Sequence, residues 1–188
     1  MALTISGTSN GKLGNLSLSA STGNILDSAN TSFFGVDQWY LNTNHTANDT
    51  ITAWTRVPAT DGGGNIGTAM SVSSGIWTFP TTGVWLVNGN FTLNGTATDS
   101  DVMQVLFEFT DAGSGFSSQF TNRPIAQSFV EDEGGIQTKN VRYIFDCQDT
   151  TNYVARLKGS SIGGSNYIVG QQSDLFYTYV SFIRLGGT

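Results

Sequence analysis

The chain has 188 residues, of which 12% are charged, 38% hydrophobic and 12% aromatic, and its net charge is -6. Eight scattered Lys and Arg make neither the basic stripe of a nucleic-acid surface nor a patch for anionic lipid, and no apolar run nears the roughly 20 residues of a membrane-spanning helix. Low charge with many aromatics argues for a folded domain rather than disorder, and a lone cysteine behind a start that lacks signal-peptide character points to synthesis in a reducing cytoplasm.

Residues 1–35 are the least hydrophobic part, with Leu3, Ile5, Leu13, Leu16 and Leu18 set among Gly, Ser and Asn. They read as an N-terminal arm. Residues 36–65 carry Trp39, Tyr40, Leu41, Ile51, Trp54 and Val57, enough for two leading strands around a polar loop. Asp61-Gly62-Gly63-Gly64 reads as a flexible turn and as the boundary to a main domain, 66–188.

From there the period is two, with no sustained helical spacing. Trp85, Val87, Gly89, Phe91 and Leu93 make one apolar face, opposite Asn88, Asn90 and Thr92. Met103, Val105, Phe107 and Phe109 make another, with Val102 and Leu106 on the reverse side. Val141, Tyr143, Phe145 and Cys147 make a third. Short strands separated by Gly, Asn, Asp and Ser predict an all-β sandwich or barrel.

The last strand, 175–185, is apolar on both faces. Leu175, Tyr177, Tyr179, Ile183 and Leu185 form one, which we assign to the core, and Phe176, Val180 and Phe182 form the other. A second covered face needs a partner. The expectation is an oligomer whose interface holds Phe176, Val180, Phe182, Val102 and Leu106.

Residues 75–93 contain Gly75, Trp77, Thr78, Phe79, Pro80, Gly83 and Trp85 in an order that resembles the "G-x-F-T-x-P-x-x-G-x-Y" signature of the C1q/TNF-like jelly roll. Trp77 stands at the usual Phe and Trp85 at the usual Tyr. Phe176 to Leu185 resembles that family's closing strand, although Val180-Ser181 replaces its Ser-Gly pair. The resemblance spans about 66–186 and implies a homotrimer of ten-stranded jelly rolls.

Upstream, Val36-Asp37-Gln38-Trp39-Tyr40-Leu41, Ala53-Trp54-Thr55-Arg56-Val57 and Gly67-Thr68-Ala69-Met70 resemble the "D-Q-W-x-L" and "W-x-R-V" blocks of structural proteins of marine tailed phages. This second resemblance implies a virion surface protein. With no collagen-like or heptad shaft, a trimer seated on the capsid as a decoration (cement) protein is the leading reading. The arm would attach it, through Leu3, Ile5, Leu13, Leu16 and Leu18, to another virion protein such as the major capsid protein. The alternative is a tail-fibre tip whose loops 42–50 and 112–122 read host glycan.

The residues do not point to an enzyme. His45, the only histidine, lies in a polar loop and reads as solvated, with no nucleophile-elbow motif beside it. Cys147 reads as a small core residue. Glu131-Asp132-Glu133 reads as a solvated hairpin tip, and Asp99, Asp101 and Asp111 as turn residues rather than cation ligands. We expect no catalytic residue, no metal and no cofactor.

Overall fold

The computed structural model describes residues 35–95, 102–110, 116, 125–129 and 135–187. Twelve strands are found among them: β1 (Gly35–Leu41), β2 (Trp54–Arg56), β3 (Asn65–Ile66), β4 (Ser71–Ser73), β5 (Ile76–Thr78), β6 (Gly83–Gly95), β7 (Val102–Phe109), β8 (Ile125–Phe129), β9 (Gly135–Cys147), β10 (Val154–Ser160), β11 (Tyr167–Ile168) and β12 (Tyr179–Gly186). They form two antiparallel sheets, with no α-helix among the described residues. In the larger sheet β6 lies between β9 and β12, β12 pairs β1, and β1 pairs β2 and β3; β11 extends the β12 side of β6. The smaller sheet runs β4-β5-β10-β7-β8. Beyond the ten strands that the resemblance implies, β3 and β11 add two-residue ladders.

The expected inner faces of β6, β7 and β9 hold. Trp85, Val87, Phe91 and Leu93 are buried opposite Met103, Val105 and Phe107, with Phe145 and Cys147 beside them. The glycine that breaks the β6 face makes room: a Cβ on Gly89 would lie 2.4 Å from the Phe91 ring and 2.8 Å from the Phe107 ring. Trp77 and Phe79 fill the middle. Trp77 lies 5.0 Å from Trp54 and 5.3 Å from Phe182, and Phe79 lies 5.4 Å from Trp85 and 5.2 Å from Phe145, centroid to centroid. Tilted aromatic pairs like these add roughly 0.5–1.5 kcal/mol each beyond their burial.

The residues 75–85 that carry the first resemblance act in folding. Ser74 (φ 50°) and Gly75 (φ 77°) are the two-residue loop between β4 and β5, where a primed turn needs positive φ twice. Phe79 to Thr82 then carry the chain from the smaller sheet to the larger. Gly83 opens β6 at φ 133°, where a Cβ would lie 2.2 Å from the Gly186 carbonyl oxygen, so only glycine fits.

Two expectations are corrected. Asp61–Gly64 is neither a flexible linker nor a boundary. Asp61, Gly62 and Gly64 donate backbone hydrogen bonds to Pro58, Ala59 and Val57, closing a compact turn. The strands on either side of it, β2 and β3, both pair with β1, which sits beside β12 in the same sheet as β6. Residues 36–65 are therefore part of the sandwich. In the second correction, the two faces of the last strand are exchanged. Its register sets Val180 opposite Gly89 and Phe182 opposite Val87, core positions of β6, so Val180 (0% exposed) and Phe182 (1% exposed) point inward. Tyr179 and Ile183 point outward. With apolar residues on both sides, the strand's own pattern could not choose between them; its neighbours did.

Candidate functional site

The outer face of the larger sheet collects what the separate strands hide. Register places Ile144 of β9 beside Leu86 of β6, Leu86 beside Ile183 of β12, Ile183 beside Val36 of β1, and Val36 beside Ile66 of β3. Five aliphatic side chains, one per strand, thus cross the sheet in a single row roughly 19 Å long at the usual strand spacing. The row is open to solvent: Ile144 is 61% and Ile66 62% exposed, and Leu86, Ile183 and Val36 are half-buried. Leu185, 47% exposed, lies two residues beyond Ile183 on β12.

Parallel rows flank it. Arg142, Asn88, Ser181 and Gln38 form the next, then Asn140, Asn90, Tyr179, Tyr40 and Thr55. Asn88 Oδ1 accepts from Asn140 Nδ2 at 3.1 Å and from Arg142 Nε at 3.3 Å. Phe176 stacks on Tyr40 at 4.1 Å and covers it. An aliphatic stripe with Tyr, Asn and Arg around it and few carboxylates matches the composition of a protein–protein interface centre.

The expected interface residues divide. Phe176 is half-buried on Tyr40 of the outer face, while Val180 and Phe182 are in the core, as above. Leu106 is half-buried on the outer side of the smaller sheet, paired with Lys158, and so is on the opposite side of the sandwich from the β12 outer face. These residues cannot form one patch. The Val102 side chain, the attachment residues Leu3, Ile5, Leu13, Leu16 and Leu18, the acids Asp99, Asp101, Asp111 and Glu131–Glu133, and most of loop 112–122 lie outside the described residues. The row Ile144–Leu86–Ile183–Val36–Ile66 escaped sequence reading because each strand contributes only one residue to it. The available signal was an aliphatic at Leu86 and at Ile144 on the otherwise largely polar faces of their strands.

Beneath this face, the residues of the phage-like blocks form one buried cluster. Asp37, 2% exposed, takes Arg56 through Nε at 2.9 Å and Nη2 at 3.1 Å, and accepts the Met70 backbone N–H at 2.8 Å. The Arg56 guanidinium stacks over Trp39 at 4.4 Å, and its Nη2 also donates to the Met70 carbonyl at 2.6 Å. Every carboxylate oxygen is bonded, as a buried charge requires. The cluster joins β1, β2 and the chain entering β4; its role is structural. In the smaller sheet Glu108, 3% exposed, takes Arg156 Nε at 2.5 Å, and Phe116 lies under that guanidinium at 4.1 Å.

His45 is not a solvated loop residue. Its backbone exchanges hydrogen bonds with Ile168 at 3.0 and 2.9 Å, and its side chain, 12% exposed, sits 3.3 Å from Asp49. The loop 42–50 is strapped to both sheets: His45 holds Ile168 of β11 in the larger sheet, and the Ile51 and Gly159 N–H groups donate to the Leu157 and Asp49 carbonyls at β10 of the smaller one. Among the described residues no group of three or more His, Cys, Asp and Glu could hold a metal ion.

Cys147 is fully buried, and its thiol is pushed up from 9.0 to about 11, first by burial, with Asp149 and Asp146 adding like charge. The thiol should therefore resist DTNB at pH 8 in the native protein and react at once in denaturant. A raised folded value favours the protonated native state, so this contribution to stability is present below about pH 9 and is lost as pH rises to about 11. Fast native labelling would place Cys147 at the surface.

No family model matches the chain, and no curated protein matches it. Solved structures do. The Eiger TNF of S. frugiperda is similar at a TM-score of 0.59 and 14% identity, covering 82% of this chain and 94% of that one. Murine APRIL is similar at a TM-score of 0.57 and 12% identity, covering 81% of this chain and 99% of that one. The fold is a C1q/TNF-like jelly roll. At these identities the likeness shows the fold alone, and the jelly roll accommodates many functions.

Proposed function

We propose that this chain is a non-enzymatic structural module that assembles as a homotrimer on a phage virion, as a decoration protein of the capsid. The aliphatic row Ile144–Leu86–Ile183–Val36–Ile66 carries the self-association. It places apolar surface in water on a sheet face where charge is scarce among the described residues, and covering it with a neighbouring copy removes that cost. The virion assignment is supported by the Asp37–Leu41 and Trp54–Val57 blocks, whose resemblance is to phage structural proteins. Residues 1–35 are the attachment arm, and three arms acting together raise avidity without strong individual sites.

Two measurements test this reading. Antibody labelling of purified particles should decorate the whole capsid; label confined to the tail would move the protein to a tail-fibre role with a host glycan as its partner. Deleting residues 1–35 should leave a folded, self-associating protein that no longer binds particles. Retained binding would place the docking surface elsewhere.

A further inference from the structure

We propose that Arg142 and Asp146 form ion pairs between copies of this chain, the Arg142 of one copy with the Asp146 of the next, and set the register in which the outer faces meet. The proposal rests on the reading that another copy covers this face. Among the described residues in the outer rows of the larger sheet, these two carry the only charges, and they are of opposite sign. Both are exposed on the same side of β9, with Ile144 of the aliphatic row between them. The order along the strand is therefore cation, aliphatic, carboxylate.

Four residues of extended chain separate the two charges by roughly 13 Å, so they cannot pair within one molecule. Each is nonetheless aimed. Asn88, itself held by Asn140, accepts from Arg142 Nε at 3.3 Å, leaving the rest of the guanidinium fork free of it. Gln148 donates to Asp146 Oδ2 at 3.2 Å. A copy whose own β9 lies over Ile144 puts a charge near each. Cation against carboxylate is favourable, and a slipped or reversed register sets like against like. In a closed ring every Arg142 meets the next copy's Asp146, so no charge is left over.

Charge exchange tests this on the full-length chain. Arg142→Asp, Asp146→Arg and the double exchange are purified, checked for folding by circular dichroism, and followed by light scattering through a dilution series. Each single variant should weaken self-association by about 30-fold, the scale of losing one partner of an interfacial charge pair, and the double exchange should restore it to within a few-fold of the original. If a single variant fails to fold, Arg142→Gln and Asp146→Asn replace it. Singles that associate like the original chain would overturn the pairing, and so would a double exchange no better than its worse parent. An original chain that stays monomeric at every concentration would overturn the face reading itself.

Discussion

Phe182→Asp should leave no folded protein, whereas Ile183→Asp, one residue further on, should leave a folded one of lower mass. Phe182 is 1% exposed and packs 5.3 Å from Trp77 and 6.1 Å from Phe79. Removing a buried Phe costs about 3–5 kcal/mol, and a carboxyl with no partner in that place adds several more. Together these rival the roughly 5–15 kcal/mol that hold a domain folded. Ile183 is half-buried in the outer row, between Leu86 and Val36. A charge there meets water in the lone chain and should change stability by roughly 1 kcal/mol or less, yet it would be buried by a neighbouring copy. Thermal melts and native mass on both variants check this. A folded Phe182→Asp that merely dissociates would mean that the faces of β12 are assigned the wrong way round.

The second large effect concerns Asp37. Replacing it with Asn removes the charge facing Arg56 and one of the acceptors of the Arg56 fork and the Met70 N–H. Breaking a buried pair from one side costs about 3–5 kcal/mol, and the lower end applies because the Arg56 side chain is 34% exposed. A loss near 3 kcal/mol should lower the melting temperature by roughly 6–12 °C in a domain of this size. Arg56→Lys keeps the charge but loses the bidentate fork and the planar stack on Trp39, so it should fall between the two. An unchanged melting temperature in Asp37→Asn would show that the cluster is not a brace.

Much of the fold was legible because alternation is a local property. In β6, β7 and β9 only one face is apolar enough to be the core, and the buried residues are the expected ones. β12 was ambiguous for a physical reason: Val180 and Phe182 on one side, Tyr179 and Ile183 on the other, are equally apolar. Which side faces the core is decided by pairing with Gly89 and Val87, contacts some 90 residues away in sequence. The same limit hid the candidate site. A row made from one residue in each of five strands exists only once register is known. Asp37 and Arg56 stand in two separate sequence blocks, and their mutual bond becomes visible only with the β1–β2 pairing.

The most direct test of the account is the native mass of the chain by light scattering after size exclusion, repeated with Leu86 and Ile183 both changed to Asp. The original chain should run at three times 20.0 kDa, about 60 kDa, and the variant as a folded species near 20 kDa. An original chain that elutes at 20 kDa, or a variant that keeps the larger mass, would contradict self-association through the outer face of the larger sheet.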